Sequence, residues 1–291
     1  MTALERLSGD GPSTSLLVTL SAAPRRLVLK VAPRDSPTVD FGRTAAAMSL
    51  ARGAGLPVAT LLAAGPASPD GPWQCLLTEH VAGVEWRRLR PQLDAGEVYE
   101  AHRQIAEAVL ALQSVRLAGF GELGQLGQPT AHDLLASLRR RALLRVGRAA
   151  DRELFLGLLE QRAGLFFPAP VPTLCHDDLH HANVVFGRGD RGWRLAAVID
   201  WDKAWVGPAE SDVARMSWWD DMTGPGFWEV YRLTAAPVAG DTERTLIYQL
   251  LWCLEYGEST PRHREDTARL CRQLGLRRQE EERSPTIESS S

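Results

Sequence analysis

The sequence predicts an α+β fold in which a small β-rich N-terminal part precedes a larger, mostly helical C-terminal part. Two patterns predict this division. Through residues 1–78, apolar and β-branched residues form short runs separated by glycine, proline and polar turns. After Val84, the apolar positions recur at intervals near 3.6 residues, the period of an amphipathic helix. A length of 291 residues suits one domain of two lobes with a large core.

Composition and charge argue against several classes of protein. The formal net charge is −3, and no basic cluster is interleaved with aromatic residues, so we expect no nucleic-acid binding. No run of about 18 apolar residues is present and the N-terminus does not resemble a secretion signal, so we expect a cytoplasmic protein without membrane contact. The cysteines are far apart and include no Cys-x-x-Cys pair, which predicts reduced, buried thiols and no zinc site. They are Cys75, Cys175, Cys253 and Cys271.

The N-terminal part is predicted to be a small sheet with one helix. Strands are predicted at residues 16–21, 27–31 and 73–78, and a helix at residues 42–53. A glycine-containing turn at residues 7–13 precedes the first strand. Lys30 lies between apolar neighbours on the second strand, where it either protects an exposed sheet edge or holds a functional partner.

The C-terminal part is predicted to contain a series of helices. Their positions are residues 97–117, 131–149, 151–164, 227–233, 242–256 and 263–274. His132 and Asp133 stand near the start of the second of these helices and are interpreted as capping residues. Arg139, Arg140 and Arg141 lie further along the same helix, and we interpret them as part of a solvated face.

A predicted hairpin flanked by polar residues interrupts the helical part. Apolar runs at residues 183–186 and 195–199 are separated by the glycine-containing turn 187–192. The hairpin therefore brings polar residues that precede its first strand close to acids that follow its second strand. These residues are His176, Asp177, Asp178, His180, Asn183, Asp200 and Asp202. Such a group of acids with an amide indicates a cation site.

Two linked motifs in this segment resemble those of the aminoglycoside phosphotransferase and choline kinase group, relatives of the protein kinases. The matching residues are His176, Asp178, Leu179, His180, Asn183, Ile199, Asp200, Trp201, Gly207, Pro208, Asp212 and Ala214. The resemblance implies a bilobal protein-kinase-like fold. In that fold, residues 1–78 form the nucleotide-binding N-lobe, 79–85 the hinge and 86–276 the catalytic and acceptor-binding C-lobe. Residues 277–291 are predicted to be a disordered tail.

The resemblance implies the chemistry of three residues. Asp178 is the implied catalytic base, which faces the acceptor hydroxyl, while Asn183 and Asp200 are the implied ligands of Mg²⁺. Short side chains that carry oxygen atoms at strand ends suit the octahedral geometry of Mg²⁺. The charge of phosphoryl transfer is stabilised mainly by the metal and by positioning, which is why the motif needs these residue types.

The neighbouring residues are interpreted as supports. His176 and His180 are expected to bond backbone carbonyl groups and so keep the loop in shape. Asp212 is expected either to accept backbone amides of this loop or to cap the helix that follows. Asp202 is either a support for the metal site or a solvated loop acid.

Asp177 departs from the family pattern because it replaces the usual glycine. It places a second carboxylate beside Asp178, and two close negative charges raise one of the two pKa values. We hypothesise that Asp177 tunes Asp178 or binds a polar or cationic acceptor. The alternative is a side chain turned to solvent.

The resemblance also implies the nucleotide site. The turn before the first strand, which includes Ser13, would cover the phosphates unless it is only a turn. Lys30 would hold the α- and β-phosphates. In the hinge, the Glu79 carbonyl and the Val81 amide would bind the purine. Thr78 would lie at the back of the pocket, and its small side chain would admit ATP or GTP.

The partner of Lys30 is the second departure from the family pattern. The usual partner is a glutamate in the following helix, but Thr44 stands at the expected position and residues 42–53 contain no carboxylate. Asp40, one turn upstream, is one possible substitute. An unpaired Lys30 and a Lys30 paired elsewhere are the other possibilities.

The acceptor side is predicted where tryptophans and acids cluster. The candidate residues are Asp177, Trp218, Trp219, Asp220, Asp221, Trp252 and Glu255. Adjacent indoles can stack on a ring while acids hold amines or hydroxyls, although the default position of each tryptophan is the core. The weight of tryptophan favours a ring-bearing acceptor, such as a nucleoside, macrolide or peptide antibiotic, over an aminoglycoside.

Together these observations predict an enzyme that transfers the γ-phosphoryl of ATP or GTP, with Mg²⁺, to a hydroxyl of a small molecule. The predicted acceptor is an antibiotic (an aminoglycoside, a nucleoside or another compound), so that the reaction confers resistance. A metabolic kinase for a choline-, homoserine- or sugar-like acceptor is the alternative enzyme. A nucleotide-binding pseudokinase is the alternative outside catalysis. The sequence makes no prediction about the oligomeric state.

Overall fold

The computed structural model describes residues 2–8, 12–23, 25–68, 70–190, 192–219, 221–234, 241–257 and 260–278. Its strands are β1 (Ala3–Ser8), β2 (Thr14–Thr19), β3 (Arg26–Pro33), β4 (Leu61–Pro66), β5 (Trp73–Glu79), β6 (Val84–Glu85), β7 (Phe120–Leu123), β8 (Pro129–Ala131), β9 (Pro172–Cys175), β10 (Val184–Gly189), β11 (Gly192–Val198) and β12 (Trp205–Pro208). Its α-helices are α1 (Phe41–Gly53), α2 (Trp86–Leu89), α3 (Ala95–Gln113), α4 (Leu134–Arg145), α5 (Ala149–Gln161), α6 (Glu210–Met216), α7 (Pro225–Thr234), α8 (Asp241–Tyr256) and α9 (Pro261–Gln273).

The N-terminal part is one antiparallel sheet in the order β1-β2-β3-β5-β4, with α1 packed against β4 and β5. Lys30 lies on the central strand β3, where it is paired with Ser15 of β2 and Leu76 of β5. A position on the central strand is not an edge, so the structure excludes the edge-protecting role for this lysine. Helix α1 begins after Asp40, whose Oδ1 accepts a hydrogen bond from the Arg43 amide.

Two smaller sheets carry the middle of the chain. The β10–β11 hairpin pairs with β6, and β12 lies between β7 and β9 in a sheet that also contains β8. The predicted hairpin is confirmed, and its strands extend further into the turn than the apolar runs indicated. Because β9 ends just before the hairpin and β12 begins just after it, the polar segments on both sides of the hairpin lie close together.

The helices of the C-terminal part enclose two apolar cores. One lies between α3, α7 and the hairpin, and includes Ile105, Val109 and Phe227. The other lies between α4, α5, α8 and α9, and includes Phe155 and Leu251. Helix α3 is held at its start by a capping box between Asp94 and Glu97, in which each side chain bonds the backbone amide of the other residue.

The predicted α+β class with a β-rich N-terminal part and a helical C-terminal part is confirmed. The predicted helices are all present, with ends that differ by a few residues, and Asp133 caps α4 through the Ala136 amide. Strand β1 was not predicted. The four cysteines are free thiols; three are buried and Cys75 is half-buried. Within the described residues, every helix is too short or too polar to span a lipid bilayer.

The interpretation of the α4 arginines is wrong for one of the three. Arg139 and Arg140 are exposed, but Arg141 is only 2% exposed and packs its guanidinium 4.2 Å from the centre of the Trp205 ring. The predicted tail lies largely outside the described residues, which end at residue 278.

Candidate active site

The loop at residues 176–183 connects β9 to β10 and is held in place by Asp212 of α6. The Asp212 carboxylate accepts the His176 amide at 2.9 Å and the Asp177 amide at 2.7 Å. The first of the two expected roles of Asp212 is therefore confirmed. Burial raises the pKa of this carboxyl to about 7, against the effect of the two amide donors. Asp177 has a positive φ of 60°, a conformation that glycine adopts readily and that few other residues adopt.

His176 fixes the turn from inside. Its Nε2 lies 3.0 Å from the carbonyl oxygen of Ile199, and its Nδ1 accepts the Asp178 amide at 3.2 Å. The expected bond to a backbone carbonyl is thus confirmed for His176. His180 behaves differently, because its Nδ1 accepts the Ala182 amide rather than facing a carbonyl.

The structure brings Asp178, Asn183 and Asp200 together. The Asn183 side-chain Nδ2 donates to the Asp178 carbonyl at 2.9 Å, which orients the amide and leaves Oδ1 as its acceptor atom. The backbone carbonyl of Asn183 accepts the amide of Ile199, the residue before Asp200, at 2.9 Å. Asp200 has a positive φ of 68° at the start of the short 3₁₀ turn Trp201–Lys203, so the chain turns sharply where its carboxylate leaves the strand.

Lys30 reaches this group from the N-terminal sheet. Its Nζ lies 2.6 Å from Asp200 Oδ1 and 2.6 Å from Asp202 Oδ2. Burial alone would lower the pKa of Lys30, but the two carboxylates outweigh burial and raise the pKa above its ordinary value. Of the three possibilities left open by the sequence, the structure shows that Lys30 is paired with acids outside α1, namely Asp200 and Asp202. Asp40 caps α1 and is not the partner of Lys30. Asp202 is part of a charged contact, which excludes the solvated loop acid.

The Asp177 side chain is directed away from solvent into a group of arginines. It forms ion pairs with Arg141 and with Arg215, whose Nη1 lies 3.3 Å from Asp177 Oδ2, and Arg145 lies 3.8 Å away. Burial alone would raise the pKa of Asp177, but these arginines lower it below its ordinary value. The expected rise from the neighbouring acid therefore does not occur at Asp177, and its carboxylate is already neutralised.

Two cations that sequence reasoning missed face Asp178. Arg215 Nη2 lies 3.3 Å from Asp178 Oδ1, and Lys203 Nζ lies 3.7 Å from the same oxygen. Lys203 also bonds the Tyr256 hydroxyl and lies 4.0 Å from the centre of its ring. Burial lowers the pKa of Lys203. Nothing in the helical pattern around Arg215 indicates this contact. Lys203 could have been found, because it lies three residues after Asp200 in the sequence.

The predicted nucleotide residues are distributed along one sheet: Thr78 and Glu79 lie at the end of β5, whereas Lys30 of β3 is paired with Leu76 in the middle of that strand. Thr78 is buried on β5, Glu79 ends the strand with its amide bonded to the Thr60 carbonyl, and Val81 follows and packs against the first core. Ser13 immediately precedes β2. Ser15, the second residue of β2, is paired with Lys30. These four residues and Lys30 are thus carried by neighbouring strands of one sheet or by the segment that follows it.

The predicted acceptor residues fall into two groups. Trp218 and Trp252 are buried and pack edge to face at 6.1 Å, so they belong mainly to the core, as the default interpretation held. Trp219 is half-buried and packs against His180 and His181 at 5.5 and 4.8 Å. The predicted acids of the acceptor region either lie close to a basic side chain or lie outside the described residues.

Of those acids, Glu255 Oε2 lies 3.8 Å from Arg145 Nη1, and Asp221 Oδ1 lies 3.4 Å from His181 Nδ1. Asp220 lies outside the described residues. The described acids of the predicted acceptor region are therefore each close to a basic side chain.

The donor set fits a hard divalent cation. Asn183 and Asp200 supply an amide oxygen and a carboxylate, the ligand types that Mg²⁺ prefers. In the described part of the chain, no group of three or more His, Cys, Asp or Glu side chains could hold a metal on its own. Two protein ligands are sufficient for a Mg²⁺ ion that also binds substrate phosphates and water.

Comparisons with known proteins agree with this architecture. A family model described as a phosphotransferase enzyme family matches residues 4–248. A search of curated protein sequences found no match. Among solved structures, a thermostable mutant of aminoglycoside phosphotransferase APH(4)-Ia is 21% identical, with 94% of this chain and 93% of that chain covered and a TM-score of 0.64.

Two further solved structures show the same fold. A putative aminoglycoside phosphotransferase from Ralstonia eutropha is 16% identical, with 94% of this chain and 90% of that chain covered and a TM-score of 0.62. An ethanolamine kinase from Plasmodium vivax is 12% identical, with 93% of this chain and 83% of that chain covered and a TM-score of 0.59.

Proposed function

Because the chain belongs to the phosphotransferase enzyme family, we propose that it transfers the γ-phosphoryl of ATP or GTP to a hydroxyl of a small molecule, with an antibiotic as its acceptor. Within this proposal, residues 1–78 form the nucleotide-binding lobe, 79–85 the hinge and 86–276 the lobe that carries the acceptor. A thermostable mutant of APH(4)-Ia has been solved with ADP and hygromycin B, and APH(2'')-IIa with streptomycin and ATP, which supports such a pair of substrates.

The observation that carries the proposal is the gathering of Asp178, Asn183 and Asp200 beside Lys30. Asn183 is bonded to the Asp178 carbonyl, and Asp200 is within 2.6 Å of Lys30. In the proposed mechanism, Asp178 holds the acceptor hydroxyl in line and accepts its proton. Asn183 and Asp200 would hold Mg²⁺, which supplies positive charge to the phosphate oxygens when it is bound. Lys30 binds and orients the phosphates.

The cations beside Asp178 suit this role. Arg215 and Lys203 contact Asp178 Oδ1 at 3.3 and 3.7 Å, which holds the side chain in position to accept the hydroxyl proton. Asp177 contributes through structure, since its ion pairs with Arg141 and Arg215 fix the arginine that contacts Asp178. This is a different role from the direct tuning or acceptor binding hypothesised from the sequence.

The charges near Asp178 support a ring-bearing acceptor without several ammonium groups. Asp177 and Glu255, which could have bound amines, lie against arginines instead. Lys203 lies 3.7 Å from Asp178 and against the ring of Tyr256, which stacks on His263 at 5.8 Å. A cationic side chain beside the base repels a polycation, and an aromatic ring can stack on a ring of the acceptor.

The test is a phosphorylation assay read by mass spectrometry. The protein is incubated with Mg·ATP or Mg·GTP and with matched panels of nucleoside, macrolide and peptide antibiotics, aminoglycosides and amino alcohols. We expect the gain of one phosphoryl group on a ring-bearing acceptor, with kcat/KM at least about tenfold above that for any aminoglycoside. Phosphorylation of amino alcohols alone would favour the metabolic kinase, and the absence of any modified acceptor would contradict the proposal.

The role of Asp178 has a matched control. Asp178→Asn is expected to lower kcat about 10²- to 10⁴-fold while nucleotide affinity is retained, because only the proton acceptor is lost. Asp190→Asn makes the same chemical change at an exposed position in the hairpin turn and is expected to keep wild-type kcat. Full turnover by Asp178→Asn would show that another group accepts the proton.

A further inference from the structure

We propose that Asp202 is the carboxylate that positions Lys30, in the place that a helix glutamate would occupy. The inference deepens the proposed function and rests on it, because Lys30 is taken there as the residue that binds the nucleotide phosphates. Its basis is the set of contacts between β3, α1 and the 3₁₀ turn Trp201–Lys203.

Lys30 is a mostly buried ammonium group that needs a counter-charge. Its side chain is 14% exposed, and its Nζ lies midway between Asp200 and Asp202, 2.6 Å from one oxygen of each. Helix α1 is the helix that packs nearest to this turn, and its sequence from Phe41 to Gly53 contains neither Asp nor Glu. The counter-charge of Lys30 therefore comes from the C-terminal part of the chain.

Asp202 also contacts α1 at Thr44, the position where the resemblance leads us to expect a glutamate. The Thr44 hydroxyl lies 3.3 Å from Asp202 Oδ1 and 3.2 Å from the Asp40 carbonyl, so its single proton is shared between two acceptors. One Asp202 oxygen thus faces Lys30 and the other faces Thr44. A carboxylate that approaches from the turn occupies the space that a longer acidic side chain from position 44 would fill.

Asp200 and Asp202 differ in what else they can do. Asp200 is 43% exposed and is a ligand of Mg²⁺ in the proposed function, whereas Asp202 is 16% exposed and bound on both oxygens. A carboxylate that binds a divalent cation is less able to neutralise a lysine as well. Asp202 is therefore the partner that stays with Lys30 when Asp200 is engaged elsewhere.

The 3₁₀ turn that carries Asp202 is held in place by the side chain of Trp201. Trp201 is buried, its Nε1 donates to the Val198 carbonyl at 3.0 Å, and its ring packs edge to face on His176 at 4.6 Å. A fixed turn holds the Asp202 side chain at one distance from β3, which is the requirement for a positioning residue.

The first experiment measures the binding of Mg·AMP-PNP by calorimetry, without any acceptor. Asp202→Asn keeps the shape of the side chain and removes its charge, and it is expected to weaken binding about 10- to 100-fold, as the loss of a supporting partner does. Lys30→Met is expected to weaken binding at least as much. The double variant is expected to be no weaker than Lys30→Met, because Asp202 acts through Lys30.

The second experiment moves the carboxylate to the helix. Asp202→Ala combined with Thr44→Glu restores one negative charge beside Lys30 from the α1 side and is expected to recover at least about tenfold in affinity over Asp202→Ala. Asp202→Ala combined with Thr44→Gln is the matched control, because it has the same size without the charge, and no recovery is expected. Thermal unfolding of each variant shows that it is folded before binding is compared.

The outcomes separate the inference from the function on which it rests. If Lys30→Met weakens binding and Asp202→Asn does not, the positioning role is overturned while the proposed function stands. If Asp202→Asn raises the Mg²⁺ concentration needed for half-maximal binding and Thr44→Glu restores nothing, Asp202 is a metal ligand and the inference is overturned. If Lys30→Met binds as the wild type does, the nucleotide role of Lys30 fails, and both proposals for that residue fail with it.

Discussion

His176 shows how one buried ring can define the shape of the loop that carries Asp178. Its Nδ1 accepts the Asp178 amide, so the proton of the neutral ring must be on Nε2, where it is donated to the Ile199 carbonyl. A second proton on Nδ1 would face the amide hydrogen. Burial lowers the pKa of His176 from 6.5 to about 4. Protonation of this ring is therefore disfavoured in the folded loop.

The consequence for stability has a definite sign. Below pH 6.5 the unfolded chain protonates His176, but the folded protein does not do so until about pH 4. Between these pH values the unfolded state binds one more proton at His176 than the folded state does. The contribution of His176 to the free energy of unfolding is therefore complete above pH 6.5 and is lost as the pH falls, by up to about 1.4 kcal/mol per pH unit. His176→Gln removes this contribution. We expect its free energy of unfolding to depend less steeply on pH between about 4 and 6.5 than that of the wild type.

The measurement is urea unfolding at several pH values in this window. His132→Gln is the control, since His132 is exposed at the start of α4 and its replacement is expected to leave the wild-type slope unchanged. Identical slopes for His176→Gln and the wild type would contradict the assignment of His176 as a neutral, buried ring.

At the scale of elements, α4 supports the site through one buried face. Arg141 Nη1 lies 2.9 Å from Glu122 Oε1 of β7, its Nη2 bonds Asp177, and its guanidinium lies over Trp205 of β12. One helix therefore ties the sheet that contains β7 and β12 to the 176–183 loop. The charges are balanced inside the protein, so the removal of one partner leaves the others uncompensated.

Arg141→Leu is expected to lower the free energy of unfolding by about 3 kcal/mol, because it leaves Glu122 and Asp177 with fewer counter-charges. Arg145 and Arg215 remain near these acids, which places the loss at the lower end of the range for buried ion pairs. Arg140→Leu is the matched control on the exposed face of the same helix, with an expected change within about 0.5 kcal/mol. Chemical denaturation measures both variants, and equal losses would show that the Arg141 network does not contribute to stability.

The same helix shows which elements could be predicted from the sequence. The hairpin, α3 and the last three helices carry periodic patterns or turn residues, so their positions could be predicted to within a few residues. Arg141 was assigned to solvent because its neighbours are also arginines, and no local pattern marks which of three adjacent arginines meets an acid from β7. Strand β1 has the alternation Ala-Leu-Glu-Arg-Leu-Ser, too weakly apolar to predict pairing with β2.

The site was predictable to the extent that its residues are close in sequence. Asp178, Asn183 and Asp200 are joined by one hairpin, so their proximity follows from local pairing. Lys30 and Asp202 are separated by 172 positions, and their contact depends on how the N-terminal sheet packs onto the C-terminal part. Such a contact has no local signal, which is why the missing acid of α1 was visible from the sequence and its replacement was not.

At the scale of the whole molecule, the candidate site lies on the contact between the N-terminal sheet and the C-terminal part. Lys30 of β3 bonds Asp200 and Asp202, and the Val198 amide of β11 bonds the Pro57 carbonyl at 2.9 Å. A ligand held at this contact binds groups from both parts at once. Because it binds only when the two parts are folded together, it stabilises the whole chain against unfolding.

Mg·AMP-PNP at about 100 times its dissociation constant is therefore expected to raise the free energy of unfolding by about 2.7 kcal/mol, and the melting temperature with it. In the proposed function the increment that depends on Mg²⁺ requires the Asp200 carboxylate, so Asp200→Asn is expected to respond equally to nucleotide with Mg²⁺ and with a chelator. Asp35→Asn, an exposed change after β3, is expected to keep the full increment. Differential scanning calorimetry measures all three proteins. An Asp200→Asn variant that retained the wild-type difference between Mg²⁺ and chelator would place the metal on other residues, because a cation bound elsewhere would be indifferent to this charge.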